Sequence, residues 1–142
     1  PEQLDQLRKD PSLIPNAAQE IVRWQSPVTH MRRTCLADTE LGGQSLKKGD
    51  KVVMWYISAN RDESVFPDAG RFDVRRENAR RHLGFGHGVH RCVGARLAEI
   101  QLATLIGEIV ERNWTVSLAA EPKRLASCFL HGFTEMPVSI SI

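Results

Sequence analysis

The residues best suited to chemistry lie in one short run, Phe85-Gly86-His87-Gly88-Val89-His90-Arg91-Cys92-Val93-Gly94. Its glycines free the backbone to approach a flat, bulky partner closely. An apolar helical pattern follows Cys92 directly, so the N–H groups and the positive dipole end of that helix favour a thiolate. Arg91 adds a positive charge beside the sulfur. The run therefore predicts a thiolate that is held ready to bind a metal.

Three other interpretations use the same residues. A zinc ion could take ligands from His82, His87, His90 and Cys92, but their spacing matches no common zinc pattern. A phosphate could bind the glycines, but Gly84-x-Gly86-x-Gly88 lacks the further spacing of a dinucleotide fingerprint and follows no clear strand. Most free cysteines are simply small buried apolar residues. The glycines, the helix start and the neighbouring arginine together favour the thiolate.

A helix before this run is predicted from capping and periodicity. Asn16 is its expected N-cap, with Gln19 three residues later. The pair Ser26-Pro27 is expected to end it, because the residue before proline avoids the helical region. Glu20 and Arg23 are three residues apart, so they are neighbours on one face.

Strands are expected over residues 28–36, with a hairpin or bulge at Gly42-Gly43. The apolar run over residues 52–57 predicts a buried strand. Residues 58–83 show no periodicity, which is uncommon in a compact domain unless the segment is functional.

Residues 93–112 are predicted to form one helix, which is apolar on most sides and therefore expected to be buried. A strand over 115–118 and a hairpin over 124–142, with its tip near His131-Gly132, complete the predicted elements.

Composition limits the possible functions. The 142 residues suffice for one domain, and 19 basic against 17 acidic residues give no argument for nucleic acid or a membrane surface. No signal peptide, membrane span or membrane anchor is predicted within the chain. The odd count of 3 cysteines at wide spacing argues against a disulfide framework and for a reducing cytoplasm. A start at Pro1 rather than at methionine suggests a piece of a larger protein.

Several segments together resemble one known family. The run over residues 85–94 is similar to the haem-binding signature of the cytochrome P-450 family, and the resemblance covers essentially the whole chain. The other matching segments are Glu20-Ile21-Val22-Arg23 (the Glu-x-x-Arg pair), Ala59-Asn60-Arg61-Asp62, Phe72-Asp73 and Arg76 (the meander), and His82-Leu83-Gly84, which leads into the loop as in bacterial members.

The resemblance implies a fold that is mainly α with small β-sheets (α+β). Its expected order is a Glu-x-x-Arg helix, β hairpins, the meander, the cysteine loop, a long buried proximal helix and a C-terminal β hairpin. Residues 1–142 would be the C-terminal haem-binding part of a single larger monooxygenase domain. The long central helix that activates oxygen in the family is not within this chain, so this piece alone is expected to be inactive.

The resemblance also implies roles for residues of the loop. Cys92 aligns with the proximal thiolate ligand of haem iron, and Phe85 with the aromatic residue that packs beside the sulfur. His90 aligns with a partner of a haem propionate. Gly86 and Gly94 are the further cofactor-binding positions.

Residues outside the loop have implied roles as well. Arg32 aligns with a second propionate partner, and strand alternation allows at most one of Arg32 and Arg33 to face the haem. Glu20, Arg23 and Arg76 align with a buried charge triad that pins the meander to the helix. The alternative is a surface pair at spacing i, i+3, which contributes only a few tenths of a kcal/mol.

Residues near the implied pocket suggest an apolar substrate, although ordinary strand packing would also explain them. The chain around them resembles bacterial members that act on alkanes, terpenes or fatty acids. The implied substrate contacts are Val28, Thr29, His30, Phe129 and Leu130.

The implied function is that of a cytoplasmic haem-thiolate monooxygenase with haem b as cofactor. It would insert one oxygen atom from O2 into a small apolar organic substrate, using electrons from a ferredoxin or flavin-type donor. An acidic donor is expected at a basic face formed by Arg80, Arg81, Arg91 and Arg96. The alternative is a non-catalytic haem- or metal-binding module that works at this length.

Overall fold

The computed structural model describes residues 2–142. Helices alternate with short antiparallel strands, and 3-10 turns lie at Pro11–Leu13, Ala79–Arg81 and Gly88–His90. The α helices are α1 (Glu2–Lys9), α2 (Ile14–Gln25), α3 (Tyr56–Ala59) and α4 (Ala95–Glu111). The strands are β1 (His30–Thr34), β2 (Thr39–Leu41), β3 (Gln44–Leu46), β4 (Lys51–Trp55), β5 (Thr115–Leu118), β6 (Lys123–Arg124), β7 (Phe133–Glu135) and β8 (Val138–Ser141).

Helix α2 ends as predicted but begins differently. Ser26 is its C-cap, with a left-handed φ of 46° and an N–H that donates to the Val22 carbonyl. The prediction that Asn16 is the N-cap is wrong, because Leu13 occupies that position. The Asn16 amide instead donates to the carbonyls of Val74 and Arg76, at 2.8 and 3.1 Å. The Asn16 side chain therefore makes tertiary hydrogen bonds instead of capping the helix.

The strands form two-stranded antiparallel sheets. β1 pairs with β4, and β2 pairs with β3 across Gly42 and Gly43, whose φ angles of 58° and 77° confirm the predicted hairpin. The predicted buried strand over 52–57 is wrong in two respects. β4 alternates, with Val53 and Trp55 exposed, and the chain enters α3 at Tyr56.

The C-terminal hairpin is only partly as predicted. β6 pairs with β7, so residues 125–132 form the tip, near the predicted position. The last strand, β8, pairs with β5 instead of remaining in that hairpin. Met136 and Pro137 lie between β7 and β8, and a proline has no N–H to donate to a ladder.

The apolar core joins α1, α2, α4 and the irregular segment through Leu7, Ala17, Val74 and Ile106. The expected burial of α4 is not found among the described residues. Only Ala95 and Ile106 of this helix are buried, while three large apolar side chains are exposed: Leu97, Ile100 and Leu105. The helix therefore packs on α1 and α2 through one side and leaves its other apolar faces open.

Two further observations bear on the sequence predictions. Cys35, Cys92 and Cys128 are all free thiols. Within residues 2–142, no helix is long and apolar enough to cross a bilayer.

Candidate cofactor site

The cysteine loop, defined here as residues 83–94, is closed by backbone hydrogen bonds. The Cys92 N–H donates to the Phe85 carbonyl at 2.8 Å, and the Gly86 N–H donates to the Leu83 carbonyl at 2.8 Å. The Arg91 N–H donates to the Gly88 carbonyl at 3.0 Å. These bonds hold the inner edge of the loop, while Cys92 itself is exposed. The loop thus presents a thiol at its outer surface.

Glycine is required at Gly86 for two reasons. Its φ of 70° lies in the left-handed region, which side chains disfavour. A Cβ atom there would lie 3.3 Å from the Tyr56 hydroxyl oxygen and 3.6 Å from the His90 carbonyl oxygen. At Gly94 a Cβ atom would lie 3.8 Å from the Cys92 sulfur, so glycine keeps the space beside the sulfur open.

Positive charges flank the thiol, but one of them has a partner. Helix α4 begins at Ala95, and its first N–H donates to the Cys92 carbonyl at 3.2 Å. Arg91 lies 3.8 Å from the Glu99 carboxylate, and Arg96 lies 3.4 Å from the same carboxylate. Arg91 and Arg96 therefore share one carboxylate, and the start of α4 lies directly after the thiol.

The charge triad, Glu20, Arg23 and Arg76, is assembled behind the loop. Arg23 donates to both Glu20 carboxylate oxygens, through Nε at 2.6 Å and Nη2 at 2.8 Å. Arg76 Nε donates to Glu20 Oε1 at 3.2 Å. The side chains of Glu20 and Arg23 are 0% exposed and that of Arg76 is 7% exposed. The pair is therefore not the surface pair that was the alternative.

The triad holds the irregular segment through backbone carbonyls. Arg23 Nη1 donates to the carbonyls of Asn60 and Ala69, at 2.7 and 3.0 Å. Arg76 donates to the carbonyls of Pro67 and Asp68, at 2.6 and 3.0 Å. Buried guanidinium groups with five donors each need this many acceptors. Residues 60–71 supply them and are thereby tied to α2.

Asn60 connects the triad to the cysteine loop, a role that the sequence reasoning missed. It is fully buried. Its Oδ1 accepts from the Leu83 N–H at 2.7 Å, and its Nδ2 donates to the Ser26 hydroxyl at 2.9 Å. An asparagine in a predicted irregular segment was the available signal, since a buried amide must satisfy its polar atoms.

His82 is buried against α2, and both of its ring nitrogens are engaged. Nδ1 accepts from the Gly84 N–H at 3.0 Å, and Nε2 lies 3.1 Å from Gln19 Oε1. Burial, assisted by the Arg91 charge, lowers the pKa of His82 to about 4. Within residues 2–142, no three His, Cys, Asp or Glu side chains are grouped to hold a metal ion. The residues of the zinc interpretation are therefore not grouped as a metal site in the described part of the chain.

Arg32 and His90 lie in different elements and are exposed. Arg32 is in β1 opposite Val53, and His90 ends the turn within the loop. Arg33, next to Arg32, is half-buried, so the two arginines face opposite sides of the strand. No side-chain hydrogen bond or ion pair occupies Arg32 or His90 in the part of the chain that the structure describes. Both remain available to an anion.

The segment after α2 and the C-terminal tip form one surface. Val28 and Leu130 form an antiparallel bridge, and the Thr29 N–H donates to the Phe129 carbonyl at 3.0 Å. The Thr29 hydroxyl donates to the Cys128 carbonyl at 2.8 Å. The His30 ring lies 5.7 Å from the Phe129 ring, edge to face. All five predicted substrate contacts are thus brought together, although they are far apart in the sequence.

The predicted basic face is divided. A cavity of about 510 Å³, called here the basic groove, is lined by Arg80, Arg81 and Arg91 together with Phe85 and His87. Arg96 lies in a second cavity of about 360 Å³, beside Gln19 and Glu99, and Arg80 lines both cavities. Three of the four predicted arginines therefore share one surface.

Comparison with known proteins identifies the family. The model of the family described as Cytochrome P-450 matches residues 6–137. This chain belongs to the cytochrome P-450 family. It is 51% identical over 138 residues to linalool 8-monooxygenase from Pseudomonas putida, covering 97% of this chain and 34% of that protein. It is 48% identical over 143 residues to a methyl-branched lipid omega-hydroxylase from Mycobacterium tuberculosis, covering 99% of this chain and 33% of that protein.

Solved structures confirm the predicted fold class. The chain matches CYP153D17 from Sphingomonas sp. PAMC 26605 with a TM-score of 0.94 and 59% identity, covering 100% of this chain and 36% of that one. The arrangement of helices and small sheets is thus that of the C-terminal part of a cytochrome P-450. The chain spans about a third of the length of the curated relatives it matches.

The residues of this cytochrome P-450 chain fit haem, the cofactor that the family implies. A porphyrin is flat and apolar, and it needs a close backbone, an apolar surface, a metal ligand and cations for its carboxylates. Gly94 keeps the space beside the Cys92 sulfur open, and Val93 beside Cys92 is fully exposed. Arg32 and His90 supply unengaged donors. The donor set is that of a thiolate-ligated haem rather than of a bare metal ion.

Proposed function

We propose that the protein containing this chain is a haem-thiolate monooxygenase that inserts one oxygen atom from O2 into an apolar organic substrate. Residues 1–142 would form the C-terminal haem-binding part of a single larger domain. The observation that carries this proposal is the exposed Cys92 thiol on a glycine loop whose inner edge is held by a buried charge triad. Relatives named as monooxygenases and hydroxylases support it.

The cofactor proposed is haem b, with Cys92 as the proximal ligand of its iron. When bound, a thiolate-ligated haem supplies the electron density that favours cleavage of the O–O bond. Phe85 would pack beside the sulfur, and Gly86 and Gly94 would allow the close approach of the ring. Arg32 and His90 would bind the haem carboxylates, which need donors when they are half-buried.

The charge triad is proposed to position the ligand without touching it. Arg23 and Arg76 bind the carbonyls of residues 60–71, and Asn60 passes this constraint to Leu83 at the start of the loop. A ligand held from behind in this way keeps its position while substrate and product exchange. Preorganised groups need no rearrangement at the moment of reaction.

An apolar substrate is proposed at the surface formed by Val28, Thr29, His30, Phe129 and Leu130. Thr29 spends its hydroxyl on the Cys128 carbonyl, so the remaining side-chain surface there is largely apolar and aromatic. Two relatives whose names refer to linalool and to methyl-branched lipids support this substrate class.

A ferredoxin or flavin-type electron donor is proposed to bind the basic groove. Arg80, Arg81 and Arg91 concentrate positive charge there, next to Phe85 of the loop. Charge complementarity of this kind mainly sets the encounter rate and the orientation of the two proteins. A cytoplasmic location is proposed with this donor, since the three cysteines are free thiols.

The absorption spectrum of the reduced carbonyl complex of the full-length protein tests the proposal. We expect a strongly red-shifted Soret band in the natural protein and its loss in Cys92→Ser. Cys128→Ser is the matched control, because Cys128 is also an exposed free thiol and should leave the band unchanged. A Cys92→Ser variant that keeps the band would contradict the assignment. A normal band without substrate-dependent O2 consumption would favour a non-catalytic haem-binding module.

A further inference from the structure

His82 and Gln19 form a buried polar contact for which the cofactor assignments give no use. They are 8% and 4% exposed, and they join α2 to the segment that enters the cysteine loop. Buried polar groups of this kind are costly unless they are satisfied. Both ring nitrogens of His82 and the Oε1 atom of Gln19 have partners, so the geometry of this contact is defined.

The hydrogen bonds assign one protonation state to His82. A backbone N–H can only donate, so the contact from Gly84 at 3.0 Å requires an unprotonated Nδ1. The proton of the neutral ring is then on Nε2, which donates to Gln19 Oε1 at 3.1 Å. A proton on Nδ1 would place two N–H groups against each other. His82 is therefore held as one neutral tautomer.

The position of Gly84 leaves little freedom to the chain. A Cβ atom on Gly84 would lie 2.7 Å from Val22 Cγ1 and 3.1 Å from the Val22 carbonyl oxygen, so the backbone rests directly on α2. The His82 ring lies 5.5 Å from the Phe85 ring. The Phe85 carbonyl in turn accepts from the Cys92 N–H at 2.8 Å. A short path of contacts thus leads from His82 to Cys92.

Gln19 also reaches the other side of the loop. Gln19 and Glu99 of α4 line the same cavity of about 360 Å³. The side chain of Glu99 is 16% exposed and accepts from Arg96 at 3.4 Å. Gln19 thus lies between the segment before Cys92 and the helix after it.

Resting on the proposed function, we propose that His82 is a positioning residue for the Cys92 ligand. Its neutral ring accepts from Gly84 and donates to Gln19, and so holds residues 83–85 where the Phe85 carbonyl receives the Cys92 N–H. Gln19 belongs to α2, so the segment that enters the cysteine loop is fixed to this helix. His82 acts on the sulfur only through the backbone that it supports.

The test compares three variants in the full-length, haem-loaded protein. His82→Phe keeps the ring and removes both nitrogens. His82→Asn keeps an acceptor for the N–H two residues later, a contact that asparagine readily makes. His82→Gln has a longer side chain, suited to Gln19 rather than to Gly84. His87→Phe is the control, because it makes the same change at an exposed imidazole of the same loop.

The measurements are amide hydrogen exchange over residues 83–92, the rate at which the red-shifted Soret band is lost in denaturant, and the haem midpoint potential. We expect about tenfold faster exchange and band loss in His82→Phe, the factor that loss of one buried hydrogen bond gives. The potential should shift in the same variant. His82→Asn should restore most of all three values, and His87→Phe should leave them unchanged.

Each outcome decides the proposal. Natural exchange in His82→Phe, or a His82→Asn that is no better than His82→Gln, would overturn it. If His82→Phe takes up no haem, the order of the Asn and Gln variants carries the test alone. If the natural protein shows no red-shifted band, the proposed function fails, while exchange over residues 83–92 still decides whether His82 holds the loop.

Discussion

The charge triad is buried and hydrogen-bonded within the chain, whereas the cysteine loop is hydrogen-bonded at its inner edge and exposed at its outer face. Glu20 and Arg23 are fully buried, and the Arg23 guanidinium finds all its partners within the chain. Cys92 is bonded through its backbone N–H and carbonyl, but its side chain and that of Val93 are exposed. Both regions have an irregular backbone, but the triad lies in the interior of the protein and the cysteine loop lies at its surface.

This contrast shows where rigidity comes from in each region. The triad replaces missing helix and strand hydrogen bonds with guanidinium donors, so residues 60–71 are ordered without regular structure. The inner edge of the cysteine loop is held by hydrogen bonds to Asn60 and His82. Its outer face is then left with apolar and thiol groups, which is what a flat apolar cofactor requires. If the triad supports the cysteine loop, changes in the triad should disturb haem binding at the loop.

Removal of the central carboxylate should have the largest effect. Glu20→Ala leaves Arg23 and Arg76 as buried charges without a counterion, and the free energy of unfolding should fall by about 3–5 kcal/mol. We expect haem incorporation into the full-length protein to be abolished. The measurements are haem content after expression and denaturant unfolding.

Asp5→Ala is the matched control for this change. Asp5 and Arg8 form an ion pair at 3.0 Å with the same spacing of three residues, but the Asp5 side chain is 57% exposed. Exposed pairs contribute little, so haem content should stay normal. Normal haem content in Glu20→Ala itself would show that the triad does not support the loop.

The second largest effect is expected from acid, because protonation of His82 should weaken the inner edge of the cysteine loop. The pKa of His82 is lowered to about 4 in the folded chain, chiefly by burial, against about 6.5 when unfolded. The unfolded chain therefore binds the proton first. The stabilisation is complete above about pH 6.5 and is lost as the pH falls towards 4, by up to about 3 kcal/mol. The charged groups that act on this ring are Arg91, Glu99, Arg23 and Glu20.

The measurement is the difference in unfolding free energy between the natural protein and His82→Asn as a function of pH. Asparagine does not titrate, so the stability of the natural protein relative to the variant should fall from pH 7 to pH 4.5 while other groups cancel. A difference that stays constant over this range would mean that His82 is not held neutral.

A smaller effect on stability is expected from glycine-to-alanine substitutions, which should differ between a closely packed glycine and one with free space around it. Gly84→Ala would force a Cβ atom to 2.7 Å from Val22 Cγ1 and should cost about 1–3 kcal/mol of stability. Gly107→Ala in α4 meets nothing within 4 Å, and it should stabilise the protein by up to about 1 kcal/mol. Thermal unfolding of both variants provides the measurement. Equal effects would contradict the close packing of the loop on α2.

The smallest expected effect concerns the open side. If the basic groove binds an acidic electron donor, the rate of electron transfer should fall as salt is added. Arg81→Gln should reduce both this rate and its salt dependence, and Lys47→Gln, at a distant exposed ion pair with Asp38, should change neither. A flat salt dependence in the natural protein would remove the groove from the proposal.

Local rules predicted the elements whose causes are local. The end of α2 at Ser26 and the turn at Gly42-Gly43 followed from proline and glycine chemistry and are found as expected. The cap at Asn16 failed because that side chain bonds residues far along the chain. The predicted partner of β8 was also wrong, because the pairing of distant strands cannot be read from the residues of either strand.

The sequence by itself predicted the family, Cys92 as the candidate thiol and the Glu20–Arg23 pair, because these depend on residue types at short, specific spacings. Only the tertiary structure decided that Arg76 meets Glu20, that Asn60 and His82 bind the loop, and that α4 keeps open apolar faces. The physical reason is that burial and hydrogen-bond satisfaction are properties of a surrounding, not of a residue. From the sequence alone His82 is a possible metal ligand, whereas its packing against α2 holds it as a neutral hydrogen-bonding residue.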